Sequence, residues 1–274
     1  MPLAPLNQGL WDFNSLWNGY RMEYEFITYE ERGPVALITL NRPDKRNALN
    51  TPIVREIMAA FRRANESEPV RAIVLTGAGK VYCAGQDTKY PPEPKDENGR
   101  SPTTATLMMG KGERNWVELL ATSKPNLIAV NGPAVGLGVT HILAADMRIA
   151  AASATFSFPF LRLGAMPECG ASGLLPRLVG FGRAMDLCMR SATIDAREAQ
   201  HIGLITGIHP DEELLGAALK LAEQIAAYPA MQVKLTKRML YASAEMNSSE
   251  DILKNENAAF LEMFKALKRT KTFE

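Results

Sequence analysis

Short apolar runs alternate along this chain with segments whose apolar residues recur at helical spacing, the pattern of strands interleaved with helices. Residues 22–31 and 35–40 read as two strands around the turn Arg32-Gly33-Pro34. The polar loop 41–47 follows, and Thr51-Pro52 opens a helix as capping residue and first-turn proline. Ile53, Ile57, Ala60 and Phe61 share one face of that helix. Residues 71–76 (RAIVLT) form the continuous apolar run expected of a strand covered on both sides.

Residues 77–106 break the pattern, being rich in glycine, proline and charge, with PPEPKDENGRSP at their centre. Long loops of this kind are commonly functional. A helix over 106–122 precedes a second buried strand at 126–130. The turn Asn131-Gly-Pro-Ala-Val-Gly-Leu-Gly138 then leads into an apolar helix over 139–145, a strand at 147–150 and a helix over 171–178. Beyond about Pro210 the strands stop. Leu214, Ala218, Leu221 and Ile225 recur at helical spacing, and further helices are expected over 231–244 and 251–267. The fold class is α/β, with stacked βαβ-type units. Three regions follow: an extension (1–22), a core (23–209) and a helical region (210–274).

Composition narrows the function. A chain of 274 residues can bury one good-sized core. Thirty-one basic against thirty acidic residues leave a net charge of +1, too little to attract nucleic acid or an anionic membrane, so any anion site must be local. The three cysteines lack CxxC spacing and are odd in number, which fits a reducing compartment, the cytoplasm being the expected one. The three histidines have no ligand spacing, so a metal has little support. No apolar run approaches the ~20 residues of a membrane span. Residues 1–22 lack the features of a signal peptide, but Trp11, Phe13, Leu16 and Trp17 suit docking on the body or on a neighbouring subunit.

Four stretches, in order, carry a family resemblance. They are Leu40-Asn-Arg-Pro with Asn47-Ala-Leu; Ala84-Gly-Gln-Asp87; Asn131-Gly-Pro-Ala-Val-Gly-Leu-Gly138; and Asp195-Ala-Arg-Glu-Ala with Gly203-Leu. From about residue 24 to 262 the chain resembles the crotonase (enoyl-CoA hydratase/isomerase) superfamily. The resemblance implies a spiral of βαβ units with a C-terminal helical trimerisation region, assembled as a homotrimer or hexamer. It also implies an acyl-CoA thioester substrate and no separate cofactor, coenzyme A being part of the substrate. Removing a proton beside a thioester carbonyl puts negative charge on its oxygen, which two fixed backbone N–H groups can hold without reorganising. By resemblance the donors are the N–H groups of Gln86 and Leu137, the latter at a helix start whose field favours an anion. Lys45 and Arg46 lie in the loop where the family contacts the nucleotide, and Ala48 and Ala84 approach adenine or pantetheine through their backbones. Asp87, Thr88, Gly138 and, more weakly, Lys89 complete the expected binding set. Each of the charges could equally be a solvated loop residue.

Typical hydratases of the family orient water with two glutamates. Their positions here hold Thr140 and Phe160. A carboxylate appears instead in Leu163-Gly-Ala-Met-Pro-Glu168-Cys-Gly-Ala-Ser172, a stretch similar to the catalytic segment of peroxisome-type Δ3,Δ2-enoyl-CoA isomerases. In those enzymes the glutamate after that proline is the single base. Phe158, Phe160 and Met166 are expected as apolar walls raising its pKa, with Thr140, Phe160 and Met166 in the acyl pocket. The competing account of Glu168 is a first-turn helix carboxylate. His141 reads as a packed histidine, Asp146 as structural and Cys169 as pocket lining. A hydratase with displaced acid–base groups, another crotonase-type lyase and a catalytically idle acyl-CoA-binding homologue are the alternative functions.

Overall fold

A computed structural model describes residues 23–95, 99, 101–110 and 115–271, with the backbone alone at 105 and 268–271. The extension 1–22, with its four apolar residues, lies outside the described residues. The main sheet has the order β1-β2-β3-β4-β6-β9. β1 (Ile27–Arg32) and β2 (Val35–Leu40) pair antiparallel across the Gly33 turn. β3 (Ala72–Gly77), β4 (Asn126–Val130), β6 (Met147–Ala151) and β9 (Gly207–His209) then add in parallel, each after a crossover. β3 and β4 are buried along their whole length, as continuous apolar runs demand when both sheet faces are covered.

The β2–β3 crossover is α1 (Thr51–Glu66), which buries Ile53, Ile57, Ala60 and Phe61 together. Its cap is Asn50 rather than Thr51: the Asn50 side chain accepts from the Ile53 N–H at 2.9 Å, and Thr51 occupies the first turn. The first strand begins at Ile27, not at 22, because the Glu25 and Phe26 N–H groups donate to the Glu56 carboxylate of α1 instead of to a neighbouring strand. The single helix expected over 106–122 is two, α2 (Thr104–Met108) and α3 (Trp116–Thr122). Asn115 starts α3 afresh by accepting from the Glu118 N–H at 3.0 Å.

A second sheet, β5-β7-β8, joins β5 (Ala134–Val135) parallel to β7 (Thr155–Ser157) and β7 antiparallel to β8 (Thr193–Asp195). α4 (Leu137–Thr140) follows β5 in the chain and tightens into a 3-10 turn at His141–Ala144 before β6. α5 (Ala171–Val179), α6 (Phe181–Met189) and α7 (Ala196–His201) follow. Asp195 caps α7 by accepting from the Glu198 N–H at 2.8 Å, which accounts for the Asp195-Ala-Arg-Glu motif.

The helices after residue 210 split into two roles. α8 (Leu214–Ala226) packs across β2, β3, β4, β6 and β9 and closes one face of the main sheet. α9 (Ala230–Ser243) is tied to the body by Lys237, which pairs with Asp146 at 2.7 Å, and by Tyr241, whose hydroxyl donates to Asp146 at 2.8 Å. α10 (Ser249–Lys271) packs chiefly on α9 and leaves Phe260, Leu261 and Phe264 more than half exposed. No described helix is long and apolar enough to cross a membrane.

Candidate active site

Three loops meet at the ends of the parallel strands, where α/β sheets commonly bind ligands. The first, after β2, is shaped by Asn47. Its Oδ1 accepts from the Arg42 N–H at 2.9 Å, and its Nδ2 donates to the carbonyls of Ala78 (2.9 Å) and Val81 (2.8 Å). Arg42 then reaches across to the second loop, donating to the Ala48 carbonyl (2.7 Å) and to Asp87 (3.0 Å). Both partners of this ion pair are nearly buried, with side chains 10% and 14% exposed. The motifs Asn-Arg-Pro, Asn-Ala-Leu and Ala-Gly-Gln-Asp are therefore three parts of one clamp. Arg42 was not singled out as a site residue in the sequence. The signal was a charged residue beside a buried strand and an aspartate closing the next motif.

The second loop, 83–88, is laced to the first and the third. The Ala84 N–H donates to the Arg46 carbonyl, the Leu49 N–H to Gly85, and the Asp87 N–H to Leu49. On its other side Cys83 exchanges hydrogen bonds with Pro133 and Val135. The approach is so close that glycine is required twice. Gly85 has φ +92°, and a Cβ there would sit 2.6 Å from the Val135 carbonyl oxygen and 3.6 Å from the Leu137 nitrogen. A Cβ on Gly138 would sit 2.4 Å from the Cys83 carbonyl oxygen.

Two backbone donors are left over. Gln86 joins Leu49 in an isolated bridge, but its own N–H is not one of the bridging bonds, and Leu137 is the first residue of α4, where no carbonyl lies one turn back. Among the described residues neither N–H has an acceptor. The Gly136–Leu137 peptide is held from behind, since the Gly136 carbonyl accepts from the Val139 and Thr140 N–H groups. One turn on, His141 accepts from the Tyr82 hydroxyl at Nε2 (2.9 Å) and donates from Nδ1 to the Leu137 carbonyl (2.8 Å). Full burial pushes the His141 pKa down to about 4, so the ring is neutral and acts as a strut, not as a base.

Glu168 lies in the irregular stretch after the 3-10 turn Leu161–Leu163, just before α5, which packs on the turn His141–Ala144. It is half-buried, and loss of solvent raises its carboxyl above the ordinary glutamate pKa. Cys169, with φ +54°, is buried against Met108 at 3.5 Å. Burial, with the neighbouring Glu168 charge added, pushes its thiol up to about 12, so it is no nucleophile at neutral pH. Together with Met108, Met109, Val117 and Glu118, Cys169 lines a cavity of about 350 Å³.

The remaining sequence candidates divide. None of Thr140, Phe158 and Phe160 lines the cavity beside Cys169, but all three are buried. Met166 is not: it is 78% exposed, because the chain around it makes neither helix nor strand and turns it outward, so it forms no wall beside Glu168 within this chain. Asp87 is engaged with Arg42, and its other oxygen accepts from the Lys89 N–H at 3.2 Å. Gly138 is at the close contact just described. Ala48 and Ala84 present backbone within the clamp, while Lys45, Arg46, Thr88 and Lys89 are exposed around it.

Fold and loops thus define an α/β protein in which two backbone N–H groups, without acceptors among the described residues, lie in interlocked glycine turns. A family model described as enoyl-CoA hydratase/isomerase matches residues 30–274. The chain is 35% identical over 258 residues to a probable enoyl-CoA hydratase, echA12, of Mycobacterium leprae, covering 93% of this chain and 87% of that protein. It is 35% identical over 229 residues to the 1,2-epoxyphenylacetyl-CoA isomerase of Escherichia coli K12, covering 82% and 84%. A crystal structure of a probable enoyl-CoA hydratase/isomerase from Mycobacterium abscessus superposes with a TM-score of 0.75 at 31% identity, covering 87% and 90%. The chain belongs to the enoyl-CoA hydratase/isomerase family, the crotonase superfamily.

Proposed function

We propose that this protein isomerises 3-enoyl-CoA to 2-trans-enoyl-CoA with Glu168 as its one base. The observation that carries this reading is the pair of N–H groups on Gln86 and Leu137, preorganised and without acceptors among the described residues, together with Glu168, a half-buried carboxylate of raised pKa. The two N–H groups hold the thioester oxygen as it gains charge. Glu168 takes the proton from C2, the charge spreads over a dienolate, and the same carboxyl returns the proton to C4. Its raised pKa makes it a stronger base than a solvated glutamate once ionised. Thr140 and Phe160, where family hydratases carry glutamates, cannot take up a proton at neutral pH. The similarity of 163–172 to peroxisome-type isomerases supports the same reading.

Lys45 and Arg46 serve the nucleotide phosphates in this scheme, at the rim of the clamp that Ala48 and Ala84 complete. The apolar side chains on α6 and α10, Phe181, Met185 and Met189 with Phe260 and Phe264, support the trimer or hexamer that the resemblance implies. Hydration is the second reading, favoured by the hydratase names of several relatives.

The test is absorbance of the conjugated thioester formed from 3-enoyl-CoA, run beside hydration of 2-enoyl-CoA. Wild type should isomerise much faster than it hydrates. Glu168→Gln keeps the shape and removes the base, so isomerisation should fall by ~10²–10⁴ while acyl-CoA still binds. Full activity in folded Glu168→Gln, or hydration outpacing isomerisation, refutes the isomerase reading and leaves the family assignment standing.

A further inference from the structure

Leu137 is held on both sides of its Cα. The carbonyl of the peptide before it, that of Gly136, accepts from the Val139 and Thr140 N–H groups. The carbonyl of the peptide after it, its own, accepts twice from one residue: from the His141 N–H and, at 2.8 Å, from the His141 ring at Nδ1. α4 is a single turn before it tightens, so its own ladder holds little, and the ring bond is a large part of what fixes Leu137. A carbonyl only accepts, so Nδ1 carries the ring hydrogen and Nε2 is bare. The Tyr82 hydroxyl donates to Nε2 at 2.9 Å, and the two rings lie nearly parallel, at 10°.

Three parts of the fold meet at this residue. Tyr82 stands directly before the loop 83–88 that carries Gln86. The Trp116 indole, on α3, donates to the His141 carbonyl at 2.7 Å. Trp116 in turn packs edge-on against Phe61 of α1, with ring centroids 5.4 Å apart. Tyr82, Trp116 and His141 are all fully buried. Packing alone does not ask for an imidazole here. Val139, Ile142 and Leu143 around it are buried and apolar, and a leucine would fill the space without taking two polar nitrogens out of water. A buried imidazole needs both nitrogens met, and both are.

We propose that His141 is a positioning residue for the reaction: one ring nitrogen holds Leu137 and the other holds Tyr82, so the imidazole sets the aim of the Leu137 N–H and its spacing from the Gln86 N–H. This rests on the reading above, in which those two N–H groups hold the thioester oxygen. Fully buried, His141 acts on the substrate only through Leu137 and the loop of Gln86. The backbone bonds at Cys83 already lay the two loops side by side. The imidazole adds control of direction, which matters because a donor stabilises developing charge best when its aim is fixed beforehand.

The experiment pairs infrared spectroscopy with kinetics. The probe is butanoyl-CoA labelled with carbon-13 at the thioester carbonyl, a saturated chain that cannot isomerise. In wild type the bound carbonyl stretch should fall below that of the free thioester. His141→Leu, folded by circular dichroism and saturated with probe, should lose much of that downshift. Its kcat for isomerisation should fall by about tenfold or more, short of the ~10²–10³ of a donor removed outright, with KM nearly unchanged. His141→Asn, whose amide nitrogen stands where Nδ1 stood, should recover most of both. Tyr82→Phe keeps the Leu137 bond but releases the ring, and should fall between wild type and His141→Leu. A histidine that served packing alone would give a lower melting temperature with the full downshift, and no advantage of asparagine over leucine. Full downshift and wild-type kcat in His141→Leu overturn the inference, as does equal loss in His141→Leu and His141→Asn. Should His141→Leu not fold, Tyr82→Phe decides: partial loss supports the inference, and wild-type shift and kcat overturn it. No downshift in wild type would show that the two N–H groups do not hold the carbonyl, and the reading above falls with the inference.

Discussion

The two loops that carry the free N–H groups and the stretch that carries Glu168 are built by opposite means. Around Gln86 and Leu137 nearly every constraint is backbone to backbone, pinned by a buried ion pair, and two glycines press against neighbouring carbonyls. Around Glu168 the chain is irregular and outward-facing, with Leu163 72% and Met166 78% exposed, and the carboxylate is only half-buried. The contrast matches the tasks that the proposed isomerisation would set. Donors that stabilise developing charge must not move, because their value lies in being preorganised. A base that takes a proton at one carbon and returns it at another must reach two positions.

The sharpest way to break the first region is Arg42→Ala. It strands the Asp87 carboxylate, 14% exposed, without its counter-ion and frees the Ala48 carbonyl. Breaking a buried pair from one side costs ~3–5 kcal/mol. A urea titration should show a loss of that order, and the surviving folded fraction should be poorly active because both N–H loops lose their tie. Loss of under about 1 kcal/mol with full activity would show that backbone bonds alone hold the loops.

Gly138→Ala strikes the same region more locally. Its Cβ would meet a backbone oxygen at 2.4 Å, which no side-chain rotation relieves. The Leu137 N–H must shift with it. The kcat for isomerisation should fall by ~10²–10³, the usual cost of one oxyanion donor. Circular dichroism and the affinity for a saturated acyl-CoA check that fold and nucleotide contacts persist. A variant of normal kcat would remove Leu137 from the donor pair.

The same contrast governs what the sequence alone reveals. Strands 35–40 and 126–130 are found at their predicted bounds, because an apolar run buried on both faces announces itself locally. The glycine turns are equally legible, since close backbone approach leaves one residue type possible. What depends on partners far along the chain is not legible. β1 starts late because Glu56 captures its leading N–H groups, and Arg42 finds Asp87 only once two loops are folded together. The Met166 wall failed for the complementary reason: apolar character in an irregular stretch has no periodicity to say which way it points. The cap of α1 is Asn50, one residue before the Thr51 that the sequence suggests, because the start of the helix is settled only by which side chain meets the Ile53 N–H.

The smallest effect expected sharpens the comparison from the side of Glu168. Desolvation raises its pKa in the folded protein, so the folded state binds this proton more tightly than the unfolded chain does. Stability conferred by the protonated group is then fully present below the ordinary glutamate value and is lost as pH rises through the raised folded pKa. At neutral pH the ionised carboxylate is a burden on folding, modest because the group is half solvated, and below about 1 kcal/mol after screening. Glu168→Gln should therefore be slightly more stable than wild type at neutral pH. The difference should vanish as pH falls below the usual glutamate range, where both proteins carry a neutral side chain. Paired melting curves at several pH values read this directly. A variant less stable than wild type at neutral pH would mean that the carboxylate is held by favourable partners in the fold, and that the exposed stretch around it is not the open side of the site.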